Sequence, residues 1–166
     1  MTSTTKDQTR IQGNELLITR FFDAPRVLVW KAWSEPDRMK KWWGPKGFTA
    51  PVVKIDFRIG GKYLCVMRSP EGRDFWSTGV YREIVPHDRI VYTDNFADEH
   101  GKQVPASHYG FDGDWPDDML VTLTFEEQQG KTKMTLRHTG LPAGQISEQT
   151  GAGWNESFDK LAMTLN

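Results

Sequence analysis

Cysteine is almost missing from this chain: Cys65 stands alone among 166 residues, so neither an internal disulfide nor a cysteine-built zinc cluster can form. Net charge is nearly missing as well. The formal value is −1, which removes the attraction that non-specific binding to nucleic acid or to an anionic membrane requires. No stretch approaches the roughly 20 apolar residues of a membrane span, and the polar start over 1–14 holds no run able to serve as a signal peptide. These absences predict a cytoplasmic protein with no nucleic-acid and no membrane partner. Catalytic signatures are wanting too. Neither Gly-x-Ser-x-Gly nor a Walker-type glycine loop occurs, and Gly60-Gly61 reads as a turn.

Large aromatic residues are plentiful instead. Seven Trp and nine Phe give more bulky apolar surface than a core of this size needs, which points to a lined cavity. The length suits one domain that buries roughly 70% of its extended surface. Residues 1–13 are rich in Thr, Ser, Gln and Lys and read as a disordered lead, leaving 14–166 as a single domain.

Within 14–166, a first strand is expected at 15–22. Pro25 then opens a short apolar helix over 25–33, and Ser34 with Asp37 resembles a capping box for a second helix to about 42. The period next changes to two. Val53, Ile55 and Phe57 alternate with polar neighbours, and turn residues separate further strands at 61–69, 74–85 and 90–93. A polar loop over 97–117 is long enough to act as a lid. Strands over 119–126 and 131–139 follow, and a helix from about 146 carries Trp154, Phe158, Leu161 and Leu165 on one stripe. Gly151 and Gly153 in its first half permit close approach of a backbone or a ligand. Short turns favour antiparallel hairpins, so the fold class is α+β: a curved antiparallel sheet of about seven strands around a long C-terminal helix, with two short helices after the first strand.

The candidate site residues divide by chemistry. Trp42, Trp43, Phe75, Trp76, Tyr81, Phe111, Trp115, Trp154 and Phe158 are the rings expected around an apolar cavity of a few hundred cubic ångströms. His138 shares a strand face with Met134 and Leu136 and reads as a core histidine or a polar anchor for a ligand. Arg82 and Glu83 are adjacent on a strand, so only one faces inward; an inward Glu83 would anchor a polar ligand group or act as a base. His100 and His108 share their loop with several Asp residues at a spacing that matches no metal-ligand pattern, so neither metal nor cofactor is expected. Cys65, on an apolar strand, reads as a small core residue.

Several strings resemble a known family. They are Phe22-Asp23-Ala24-Pro25, Val29-Trp30-Lys31-Ala32-Trp33, Trp42-Trp43-Gly44-Pro45, Gly79-Val80-Tyr81-Arg82-Glu83-Ile84, Arg89-Ile90-Val91-Tyr92-Thr93 and Gly153-Trp154-Asn155-Glu156-Ser157-Phe158-Asp159-Lys160-Leu161. Their order resembles the activator of heat-shock protein 90 ATPase homologue family (C-terminal domain-like) of the SRPBCC superfamily, which includes START domains and the birch pollen allergen. The resemblance implies the helix-grip, START-like fold. It is compatible with three functions: binding of a small hydrophobic or aromatic molecule between sheet and last helix, co-chaperone-like interaction with a chaperone or another protein, and cyclase- or hydrolase-type catalysis in the same cavity. Ligand binding is the leading expectation, and no catalytic residue is assigned.

Overall fold

Each stretch with a period of two is a strand of one antiparallel sheet in the computed structural model, which describes residues 6–165. The strands are Gln8–Gln12 (β1), Glu15–Phe22 (β2), Val53–Ile55 (β3), Lys62–Arg68 (β4), Asp74–Val85 (β5), Arg89–Ala97 (β6), Met119–Gln128 (β7) and Lys131–Thr139 (β8). Helices Arg26–Ser34 (α1) and Pro36–Met39 (α2) follow β2, and Gln145–Thr164 (α3) closes the chain. The strand order is β1-β2-β8-β7-β6-β5-β4-β3. This is the α+β helix-grip architecture, with eight strands rather than seven.

The additional strand is β1, which lies inside the stretch expected to be a disordered lead; residues 1–5 of that stretch fall outside the described residues. Every residue of β1 is exposed, so no hydrophobic alternation betrays it. Its order comes from backbone pairing with β2 across a two-residue turn at Gly13-Asn14, where Gly13 has φ +63°. Asp7 adds a side-chain acceptor for the Phe21 amide at 2.9 Å. Two other expectations change. Ser34 ends α1 instead of capping α2, and Glu35 with Pro36 starts α2 without a side-chain cap. β6 also runs on to Ala97, four residues past the expected end.

One row of cross-strand partners defines the concave face: Leu16, His138, Val121, Tyr92 and Tyr81 stand side by side on β2, β8, β7, β6 and β5. Buried Leu16, Ile18, Val121, Leu123, Phe125, Met134 and Leu136 make the apolar part of that face. α3 covers it with Phe158 and Leu161, both fully buried. Polar clamps fix the helix at both edges. Arg20 on β2 reaches Asp159 at 2.8 Å and the Asn155 carbonyl at 3.0 Å, while Lys160 donates to the carbonyls of Pro45 and Phe48 at 3.2 and 3.1 Å. Gly151 allows α3 to touch β2 itself, since a Cβ there would come within 3.1 Å of Leu16 Cδ1. The glycines of α3 therefore serve packing against protein: Gly151 meets Leu16 and Gly153 faces Pro45.

Leu161→Ala is expected to cost about 2–5 kcal/mol, the loss that accompanies a cavity in a close-packed core. Met163→Ala, on the exposed side of the same helix, should stay within about 0.5 kcal/mol of the parent. Urea melts of the two variants check this, and equal losses would refute the assignment of helix faces.

Candidate functional site

The inner face is filled mostly by rings. Trp42 is fully buried, donates to the Ala32 carbonyl at 3.0 Å, and meets Trp33 edge-on at 4.7 Å between centroids. Trp154 lies along Phe158 at 5.5 Å and 25° and meets Trp43 edge-on at 5.6 Å. Between these rings and the sheet, Trp33, Met39, Trp43, Tyr63, Tyr81, Ile90 and Tyr92 enclose only about 10 Å³ of room for the centre of a water-sized molecule, about enough for one water. Among the described residues, the void between these rings and the sheet is thus far smaller than the expected cavity of a few hundred cubic ångströms. The tryptophans that were to line it pack on one another and close it.

The polar group near this wall is Asp94, which the sequence reading placed in the acidic loop with His100 and His108 and the structure places on β6. Ile90, Tyr92 and Asp94 alternate onto the concave face, and Asp94 pairs with buried Met119. The Asp94 carboxylate accepts from Tyr63 Oη at 3.0 Å, and its other oxygen lies 3.5 Å from His138 Nε2. Trp154 Nε1 donates to His138 Nδ1 at 3.1 Å. An indole can only donate, so Nδ1 is the bare nitrogen and the neutral ring carries its proton on Nε2, facing Asp94. Among the described residues, that Nε2 and the Tyr92 hydroxyl are buried without a hydrogen-bond partner. Gly79, opposite Tyr63 on β5, makes room for this cluster. A Cβ at Gly79 would collide with the Thr93 carbonyl and lie 2.7 Å from the Tyr63 ring.

Burial sets the ionisation of the cluster. Removal from water raises the Asp94 carboxyl to about 6, against a smaller lowering by the Tyr63 hydrogen bond. Burial lowers His138 to about 4, because the charged ring would be poorly solvated. The Tyr63, Tyr81 and Tyr92 hydroxyls and the Cys65 thiol are all pushed upward by burial. At neutral pH the cluster is therefore one carboxylate among neutral groups. A carboxyl near 6 can exchange a proton under physiological conditions, and the His138 Nε2–H beside it can donate a hydrogen bond.

Asp94 also borders a second, larger space. At the Ala97 end of β6, a cleft of about 590 Å³ opens between Asp94, Phe96 and the 103–117 segment, with Phe111 and Trp115 among its walls. Asp94, with 18% of its side chain exposed, lies where cleft and interior meet. The segment expected to be a lid is one wall of this cleft. Tyr109, in a short turn of 3-10 helix, anchors it by donating to the Ala97 carbonyl and accepting from the Trp76 amide.

The candidate residues therefore separate. Trp43 and Tyr81 border the small inner void, and Trp42, Trp154 and Phe158 pack around it. Phe111 and Trp115 line the cleft, and Phe75 packs behind Phe111 with centroids 6.1 Å apart. Two candidates lie elsewhere. Strand alternation puts Trp76 on the face opposite Tyr81. A bulge between Tyr81 and Glu83 breaks that alternation, leaving Arg82 exposed and Glu83 beside Arg89 Nε at 3.4 Å on the outside. Neither Arg82 nor Glu83 faces inward, and the choice between them dissolves. Among the described residues, no three His, Cys, Asp or Glu side chains gather to hold a metal ion, and no helix is long and apolar enough to cross a membrane.

The fold is that of a ligand-binding or co-chaperone-type domain. The chain belongs to the family described as Activator of Hsp90 ATPase homolog 1-like protein, which matches residues 23–166. It is similar to solved structures of bacterial proteins. One from Chromobacterium violaceum is 29% identical with a TM-score of 0.76, over 92% of this chain and 96% of that one. One from Mycobacterium smegmatis is 25% identical with a TM-score of 0.76, over 97% and 93%. An AHSA1 protein from Silicibacter pomeroyi, 22% identical with a TM-score of 0.72 over 91% and 96%, shares the fold. No curated protein matches the chain.

The two shifted groups make opposite contributions to stability. His138, lowered from 6.5 to about 4, loses stability as pH falls from 6.5 toward 4; Asp94, raised from 3.8 to about 6, loses it as pH rises from 3.8 toward 6. Tyr63, Tyr92 and Cys65, which also face Asp94, stay neutral throughout this window. Asp94→Asn removes only the second contribution. Its stability relative to the parent should therefore rise by about 2 kcal/mol between pH 4 and pH 7. Urea melts across that range check it, and a difference independent of pH would refute the buried, uncompensated carboxylate.

Proposed function

We propose that this protein binds a small hydrophobic or aromatic molecule carrying one polar group, with the apolar part among Phe96, Phe111 and Trp115 and the polar group at Asp94. The observation that carries this reading is the Tyr92 hydroxyl, buried and without a hydrogen-bond partner among the described residues, close to Asp94 where cleft and interior meet. A buried polar atom left without a partner costs about 1–3 kcal/mol, so a ligand group that reaches the junction recovers a hydrogen bond the protein alone does not make. A closed aromatic core would not hold such a molecule. The cleft is the space of suitable size.

The co-chaperone reading is supported by the family description alone, and stimulation of a heat-shock protein 90 ATPase by the purified chain would favour it. For the ligand reading, titration with a neutral apolar dye, followed by dye fluorescence, is the direct test. Trp115→Ala should weaken dye binding about three- to tenfold, the worth of one aromatic contact, and Glu83→Gln on the outer face should leave it unchanged. Absence of dye binding, or binding indifferent to Trp115→Ala, would overturn the reading.

A further inference from the structure

We propose that the molecule taken by the cleft is an organic cation, an aromatic or aliphatic amine whose ammonium group meets Asp94. This rests on the reading of the cleft as a ligand site and adds the chemical class. The lining contains three carboxylates, Asp94, Asp114 and Asp117, together with the rings of Phe96, Phe111 and Trp115, and no Lys, Arg or His. Rings and carboxylates without a competing cation are the two elements that recognise an ammonium group, the one through the negative face of the ring and the other through charge.

Hydrogen-bond donors point the same way. The Asn95 amide donates to the Asp117 carbonyl at 2.7 Å and to Asp118 at 2.6 Å; the Gln103 amide donates to the Asp117 carbonyl at 2.7 Å, and Trp115 Nε1 to the Asp112 carbonyl at 3.0 Å. With these donors engaged inside the protein, and the His138 Nε2–H turned toward Asp94, the cleft offers a ligand mainly acceptors, which suits a molecule that donates. Just behind it, Arg73 lies over the Phe75 ring at 4.8 Å, so the same aromatic cluster already holds one cation on its far side.

Asp94 is the strongest element. It is largely buried and, among the described residues, has no Lys or Arg partner; its neighbours are the Tyr63 hydroxyl at 3.0 Å and a His138 that is neutral at pH 7. A desolvated carboxylate without a counter-charge is unfavourable until a cation arrives. An anionic ligand would add a second negative charge at the same place.

Three molecules with one shared scaffold test this: 4-phenylbutylamine, 4-phenylbutanol and 4-phenylbutyrate, titrated calorimetrically near neutral pH. The amine should bind about tenfold or more tighter than the alcohol, with the acid weakest, and raised salt should weaken the amine selectively. Asp94→Asn, which keeps an acceptor for Tyr63, should abolish most of the amine's advantage over the alcohol. Trp115→Leu, on the rim, should weaken amine and alcohol alike. Urea melts show that each variant is folded. Alcohol or acid binding as tightly as the amine, or an amine preference that survives Asp94→Asn, overturns the choice of a cation while the ligand site stands. Binding by none of the three overturns both.

Discussion

A carboxylate that meets no cation among the described residues sets the terms for the rest of the site. Asp94 is held on a mostly apolar face by the pairing of β6 with β7, and backbone hydrogen bonds along the sheet leave it nowhere else to go. Its neighbours accommodate it without neutralising it. Tyr63 supplies one hydroxyl, and Gly79 opens the space for the Tyr63 ring. His138 turns its N–H toward the carboxylate because Trp154 has engaged the other ring nitrogen. The tautomer of His138 is thus decided by a residue of α3. The grip of the helix and the polarity of the sheet are one arrangement.

That coupling gives the edge clamps a consequence beyond stability. Arg20 and Lys160 tie α3 to β2 and to the 45–48 turn, and the turn carries Trp42 and Trp43 just before it. Displacing α3 would therefore shift the indole that orients His138 and the tryptophans that close the core. Exposed ion pairs are individually weak. Arg20 is different in kind, because its side chain is mostly buried between β2 and α3 and meets Asp7, Asn155 and Asp159 together.

How much of this was legible in the sequence depended on where a simple period held. β2, β5 and β8 coincide with, and β4 falls within, the expected strands, because alternation and turn residues agree there, and the stripe of α3 follows from 3.6-residue spacing. β1 was hidden by its wholly exposed sequence, polar but for Ile11; its one local signal was the Gly13-Asn14 pair of a two-residue hairpin. Asp94 was readable in principle, since it continues the parity of Ile90 and Tyr92. Ending the strand at Thr93 discarded it. The bulge after Tyr81 has no comparable local mark, so the facing of Arg82 and Glu83 could not be obtained from alternation. The closure of the core was illegible for a different reason. A count of tryptophans measures apolar volume, and only their mutual orientation says whether that volume lines a space or fills it.

The filled core and the open cleft then have a common physical origin. Aromatic rings that meet edge-on and offset exclude water well and leave a face apolar enough to raise a carboxyl toward 6. The same desolvation drives His138 down, so the imidazole beside Asp94 stays neutral instead of becoming a counter-cation. A more open interior would hydrate Asp94, restore its ordinary acidity and remove the imbalance. Close packing on one side of Asp94 is what leaves its charge to be answered from the other, where the cleft at the end of β6 opens.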